Sequence, residues 1–256
     1  MKISVVTPSV RPELIPIVKK CLARQTFREF EWRVGTPAKY LGEMEKAVGS
    51  TVFDTLIVEE PPKREGDYYG LNKCWNELFR NARGELIVSI QDGIWFEPDL
   101  LEKFWIHYQN DPKSCVSAIG HQYDKMKNGK PENRVWSDPR ARLDQGSFYS
   151  VGPREMEFCV ASIPRLGIFE VGGIDEIYDR FAALSEKELC ARLERRDYKF
   201  FLDQSCEYRA IHHPRLNEEW DIRYNAGCEV YIRHLQEIAE EKRVRLEYLP
   251  HRGGEI

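Results

Sequence analysis

The 256-residue sequence predicts an α/β fold, with a mostly parallel central sheet, helices on both its faces and a C-terminal helix. Short β-branched runs alternate with amphipathic stretches through the first ~110 residues, the pattern of parallel strands joined by crossover helices. The runs are apolar nearly throughout, as strands covered on both faces must be. Near the C-terminus, residues 226–243 form a last amphipathic stretch. The length suits one large α/β domain, or such a domain with a small appendage.

KISVVTP, from Lys2 to Pro8, reads as the buried first strand. Arg11-Pro12-Glu13 opens a helix with proline in its first turn, and Leu14, Ile17, Val18, Cys21 and Leu22 follow at helical spacing. FEWRVGTP gives a second strand, residues 38–50 a short helix, and TLIVEEPP a third strand stopped by prolines. Leu71 to Ala82 is a helix with Cys74, Trp75, Leu78 and Phe79 on one face, ended by Gly84 as a C′ glycine. ELIVSI is the fourth strand, and Pro98 to Tyr108 the helix after it. SCVSAIGHQY reads as a strand. The polar stretch Lys125 to Gln145 reads as a long loop, a length that usually carries function. MEFCVASIP and YKFFLDQS are later strands, with a turn at Gly172-Gly173 and a helix from Ser185 to Arg195 between them. Ser185 is its expected N-cap, with Glu186 and Glu188 in the first turn.

Composition narrows the function. Hydrophobic residues make up 42% and charged residues 31%, which supports a packed core and argues against wholesale disorder. The net charge of -4 lacks the basic excess of a general nucleic-acid binder. Seven scattered cysteines without a CxxC pair read as buried thiols in a reducing compartment. MKISVVTPSV has no long apolar signal core, and no apolar run approaches the ~20 residues of a spanning helix. The expectation is a soluble cytoplasmic protein.

Open parallel sheets bind ligands beyond the C-terminal ends of their strands. Those ends are Thr7-Pro8, Gly35-Thr36, Glu59-Glu60 and Gln91-Asp92. Asp92 is delivered there by a buried strand. A carboxylate at that edge suits a cation that takes its remaining oxygens from waters and a diphosphate, although an Asp before Gly is also an ordinary turn residue.

Four segments carry a family resemblance: ISVVTPSVRPELIPIVKKCLARQTFREFEWRVG, GLNKCWNELFRNARGELIVSIQD, FEVGGIDEIYD and SEKELCARLERRDYKFFLDQS. In this order over residues 3–213, they resemble family-two glycosyltransferases of the GT-A, Rossmann-like fold. The resemblance implies a GT-A domain over residues 1–215. Residues 1–110 would bind a nucleotide sugar, residues 111–215 would hold the acceptor and the catalytic group, and a helical extension would cover 216–256. It also implies a hexosyltransferase-like enzyme, with inversion at the sugar carbon, Mn²⁺ or Mg²⁺ on the diphosphate, and a carboxylate general base.

Carried over residue by residue, the resemblance makes Thr7, Pro8, Arg11, Asp67, Lys73, Asn76 and Asp92 candidates for the sugar donor. Arg11 suits phosphate but is equally a first-turn surface residue. Asp92 takes the second position of the family's acidic motif and is the candidate metal ligand. Its neighbours Gln91 and Gly93 depart from the acids usual there. The second strand also departs, ending on Gly35-Thr36-Pro37, so Glu59, Glu60 or Asp67 would have to read the base. Glu186 takes the place of the catalytic Asp, with Glu188 and Asp179 as rivals; first-turn acids also simply complement a helix dipole. His212 and His213 follow the last strand where related enzymes hold a metal ligand. Trp136, Arg140, Arg142, Phe148 and Tyr149 suit an acceptor groove or the packing of a loop.

The function expected is transfer of a sugar from a nucleotide-diphosphate donor, a UDP-sugar first among candidates, to a hydroxyl. The acceptor would be a glycan or, less in keeping with the charge, a modified DNA base. A catalytically inactive GT-A domain that binds a nucleotide sugar or glycan as a scaffold is the alternative. A nucleotidyltransferase ranks last, because VTPSVRP lacks the glycines of a phosphate loop.

Overall fold

The computed structural model describes residues 1–127, 130–142, 144–181, 183–211 and 219–250, with the side chains of 126, 127, 130 and 131 left aside. In chain order its strands are β1 (Ile3–Pro8), β2 (Phe30–Pro37), β3 (Asp54–Glu60), β4 (Leu86–Ile90), β5 (Ile94–Phe96), β6 (Ser114–Lys127), β7 (Lys130–Ser137), β8 (Phe148–Val151), β9 (Val160–Pro164) and β10 (Lys199–Ile211). The helices are α1 (Ile15–Ala23), α2 (Leu41–Val48), α3 (Leu71–Asn81), α4 (Leu100–Asn110), α5 (Arg165–Glu170), α6 (Ser185–Glu194) and α7 (Glu219–Ala239).

One sheet runs β3-β2-β1-β4-β9-β6-β10-β5. The first four strands are parallel, so their C-terminal ends share one edge. β9 enters antiparallel beside β4, which brings the start of β9 to that same edge. Strand alternation sorts the core onto two faces. Val5, Trp32, Leu86 and Val88 pack with α1 and α4, while Val6, Ile87 and Ala161 pack with Trp75, Leu78 and Phe79 of α3. Emptying one such site, as in Leu78→Ala, costs ~2–5 kcal/mol.

Several sequence expectations are corrected. The polar stretch from Lys125 is not one long loop: β6 continues to Lys127 and returns as β7, because a hairpin satisfies backbone groups that a loop would leave to water. RLGIFE, just ahead of the turn at Gly172-Gly173, forms α5. Gly84 is not a left-handed helix stop. A Cβ there would lie 2.4 Å from the Ser4 backbone nitrogen, so Gly84 permits close approach to β1. Ser185 is not the N-cap of α6; Leu184 holds that position with φ 77°.

The C-terminal segment packs on the second half. Arg195 donates to the Ala239 carbonyl at 2.8 Å, and Leu246 and Leu249 donate to the carbonyls of Val171 and Gly172. Gly172 has φ 77°, and a Cβ would lie 1.6 Å from the Leu246 oxygen, so only glycine lets this tail close. No helix among the described residues is long and apolar enough to cross a membrane.

Candidate functional site at the strand ends

β1 and β4 are adjacent and parallel, so the turns after them meet. There the Asp92 carboxylate is buried and bonded on both oxygens. Ser9 Oγ donates to Oδ2 at 2.6 Å, Arg11 Nε donates to the same oxygen at 3.2 Å, and Arg11 Nη2 pairs with Oδ1. The Arg11 backbone N–H donates to Ser9 Oγ at 3.0 Å, which closes a small ring of bonds. Gly93 at φ 68° makes the turn that presents the acid. Thr7 points the other way, into the core, where its Oγ1 accepts from Trp32 Nε1 at 3.0 Å; Pro8 beside it is buried.

Next to this ring opens a cavity of about 270 Å³. Gln91 forms part of its wall, and the Gln91 amide donates to the Cys159 carbonyl at 3.0 Å, pinning β4 to the start of β9. Glu157 and Glu186 line the cavity, together with Tyr69, Trp75, Phe158, Tyr178, Phe181 and Trp220. Glu186 makes no ion pair among the described residues; Ser185 Oγ donates to it at 3.3 Å. Burial, aided by the negative charge of Glu157, raises its carboxyl above the ordinary glutamate value, outweighing Lys187 and the hydrogen bonds to it. Ala183 and Leu184 lead into α6 at φ 70° and 77°, a left-handed conformation that costs non-glycine residues ~1–3 kcal/mol each. That strained entry aims the first turn of α6 into the cavity.

The other candidates fall into different places. Glu188 is fully buried and does not reach the cavity. Arg192 takes both its oxygens at 2.8–3.1 Å, and Arg243 Nε adds a bond at 3.2 Å. Its helical position one turn from Arg192 makes it half of a structural ion pair, not a base. Asp67 and Lys73 are buried against each other, and neither lines the cavity at Glu186; Lys73 forms part of a second cavity with Arg64, Glu77, Arg80 and Glu176. Burial alone would raise the Asp67 carboxyl, but Lys73 and the Arg64 amide hold it below the usual aspartate range. Asn76 links α3 to the Gly172-Gly173 turn, donating to the Ile174 carbonyl and Glu176 and accepting from the Ile174 amide. Asp179 accepts from the amides of Asn72 and Lys73 at the start of α3, and burial raises it to about 7.

Arg140 is locked on Asp138 and the carbonyls of Ala118 and Glu155, and comes within 3.9 Å of Glu157. Arg142 pairs with Glu155 at 2.7 Å, and Trp136 is exposed on β7. Neither lines the cavity. Glu59 is exposed and Glu60 half-buried at the end of β3. His212 and His213 lie outside the described residues.

Two carboxylate groupings bear on a cation. Asp175, Glu188 and His234 bring three ligand-type atoms within 4.8 Å of one another. Arg192 and Arg243 already neutralise the two acids there, and Tyr248 donates to Asp175 at 3.0 Å. At Asp92, Ser9 and Arg11 take three of the carboxylate's roughly four lone-pair sites, the Arg11 guanidinium neutralises its charge, and neither sequence neighbour is a second acid. As folded, neither set fits a divalent ion.

No family model matches the sequence, and no curated protein is significantly similar to it. Solved structures are similar in fold. Staphylococcus aureus TarS 1–349 in complex with UDP-GlcNAc superposes at a TM-score of 0.60 and 15% identity, over 94% of this chain and 66% of that one. GalNAc-T7 with UDP, GalNAc and Mn²⁺ superposes at 0.66 and 12% identity, over 94% of this chain and 49% of that one. The fold is that of the GT-A glycosyltransferases. The ring at Asp92 lies beyond the C-terminal ends of the parallel strands of that sheet, and the cavity at Glu186 opens beside it. The chain spans two thirds or less of the length of these neighbours.

Sequence reasoning missed Ser9, Glu157 and the aromatic wall. Ser9 had a signal, a hydroxyl between a strand end and an arginine. Glu157 and Trp220 had none, because only the pairing of β9 with β4 and the docking of α7 bring them in.

Proposed function

We propose that the chain is a nucleotide-sugar glycosyltransferase that moves a sugar from a nucleoside-diphosphate donor, a UDP-sugar, to an acceptor hydroxyl with inversion. Glu186 carries the proposal: a carboxylate with raised proton affinity and no ion pair among the described residues lines a cavity at the strand ends. In this reading the acceptor hydroxyl gives its proton to Glu186 as its oxygen attacks the anomeric carbon. The bond from that carbon to the diphosphate oxygen breaks, and its electron pair leaves with the nucleoside diphosphate. The UDP and UDP-GlcNAc complexes of the TarS neighbour and the UDP complex of GalNAc-T7 support the donor class. The aromatic wall supports a saccharide acceptor, since ring faces pack against the apolar faces of sugars.

The second reading is a binding module without turnover, favoured by the bonding of both Asp92 oxygens. UDP release from a panel of UDP-sugars, alone and with glycan acceptors, separates the two. Turnover lost in Glu186→Gln with UDP binding kept supports the enzyme. UDP-sugar binding without any release of UDP supports the module.

A further inference from the structure

We propose that Arg11 stands where a divalent cation would act, so that a nucleoside diphosphate binds this protein without metal. The inference rests on the nucleotide-sugar reading above and deepens it. Asp92 is the acid placed to hold a cation, yet both its oxygens are taken. A guanidinium fork matches a carboxylate with two parallel N–H donors, and Arg11 uses Nε and Nη2 in that way. Ser9 fixes the pair from the other side, donating to Asp92 and accepting from the Arg11 backbone. The Asp92 side chain is only 6% exposed and that of Arg11 36%, so the cation is the partner that faces solvent. Its third nitrogen, Nη1, makes no hydrogen bond among the described residues and is available to phosphate oxygens. Gln91 and Gly93 supply no second acid to compete for a metal. Because the pair sums to zero charge, it recognises the diphosphate through directed N–H donors and the outward positive end of its dipole.

The test is calorimetric titration of UDP into the full chain, first with EDTA and then with Mn²⁺. The expected Kd differs by less than about threefold between the two buffers. Arg11→Ala weakens UDP by ~10-fold or more in both, the scale of a lost charge-assisted hydrogen bond, and Mn²⁺ does not restore it. Arg11→Lys, which keeps the charge but loses the fork, falls between. Binding abolished by EDTA and restored by Mn²⁺ overturns the proposal, as does Arg11→Ala binding UDP like wild type once Mn²⁺ is present. Should Arg11→Ala fail to fold by circular dichroism, the wild-type comparison and Arg11→Lys decide. If neither UDP nor ADP, GDP or dTDP binds in either buffer, the nucleotide-sugar reading itself falls and takes this proposal with it.

Discussion

Asp92 and Glu186 sit at the same edge of one sheet and are built in opposite ways. Asp92 is fastened on both oxygens by residues from the turn after β1. Glu186 projects from a strained helix start into a cavity, with a neighbouring hydroxyl and no ion pair among the described residues. A carboxylate that is neutralised organises its surroundings. One without an ion pair in a half-buried wall has a heightened proton affinity, which a general base needs. The pairing around an acid, more than its place in a motif, separates the two settings.

The sharpest way to break this contrast is Glu186→Gln. It should lower turnover by ~10²–10⁴-fold, the usual contribution of a general base, while UDP affinity stays near wild type. Loss of UDP affinity instead would erase the distinction between the two ends. Glu188, two residues further along α6, should behave as scaffold. Glu188→Ala leaves Arg192 buried without its partner, and denaturant unfolding should show a loss of ~3–5 kcal/mol.

Asp179 offers a smaller, pH-dependent effect. Unfolded, it titrates near 3.8; folded, burial raises it to about 7. A raised folded value means that the native state favours the protonated form. Its stabilising contribution is therefore full below pH 3.8 and is lost as pH rises through about 7. Asp179→Asn removes that titration and should flatten the curve of stability against pH across this window; an unchanged curve would refute the assignment. The smallest effect is expected at Glu157. Its charge helps to raise Glu186, so Glu157→Gln should move the acid limb of the pH–rate profile to lower pH. Here the sign is decisive: activity rises with pH as Glu186 loses its proton, and a weaker field lets that happen earlier.

The strands of the nucleotide half were legible because buried parallel strands announce themselves as apolar runs; β2 appears as FEWRVGTP, just as its sequence suggests. The position of Asp92 followed from the strand order. What it touches did not, since Ser9 and Asp92 are 83 residues apart in the chain. Polar segments were harder. β7 lacks strong alternation and is held as a strand by its pairing with β6 rather than by its own propensity. Lys73 and Asp67 read from the sequence as candidates for the sugar donor. Their mutual neutralisation in the interior is a tertiary fact that no local pattern contains. Glu186 was legible as a first-turn acid, but its place in the cavity depends on Ala183 and Leu184 adopting a conformation that their residue types disfavour.

The tail that closes over Gly172 has a consequence for how the protein comes off the ribosome. Arg243 follows its partner Glu188 by 55 residues, and Tyr248 follows Asp175 by 73. Domains fold from the N-terminus as they emerge. The sheet and the ring at Asp92 can therefore form while the cavity still lacks Trp220 and the clasp on α6. Glu186 then reaches its final surroundings only after α7 and the segment that clasps α6 have emerged and docked.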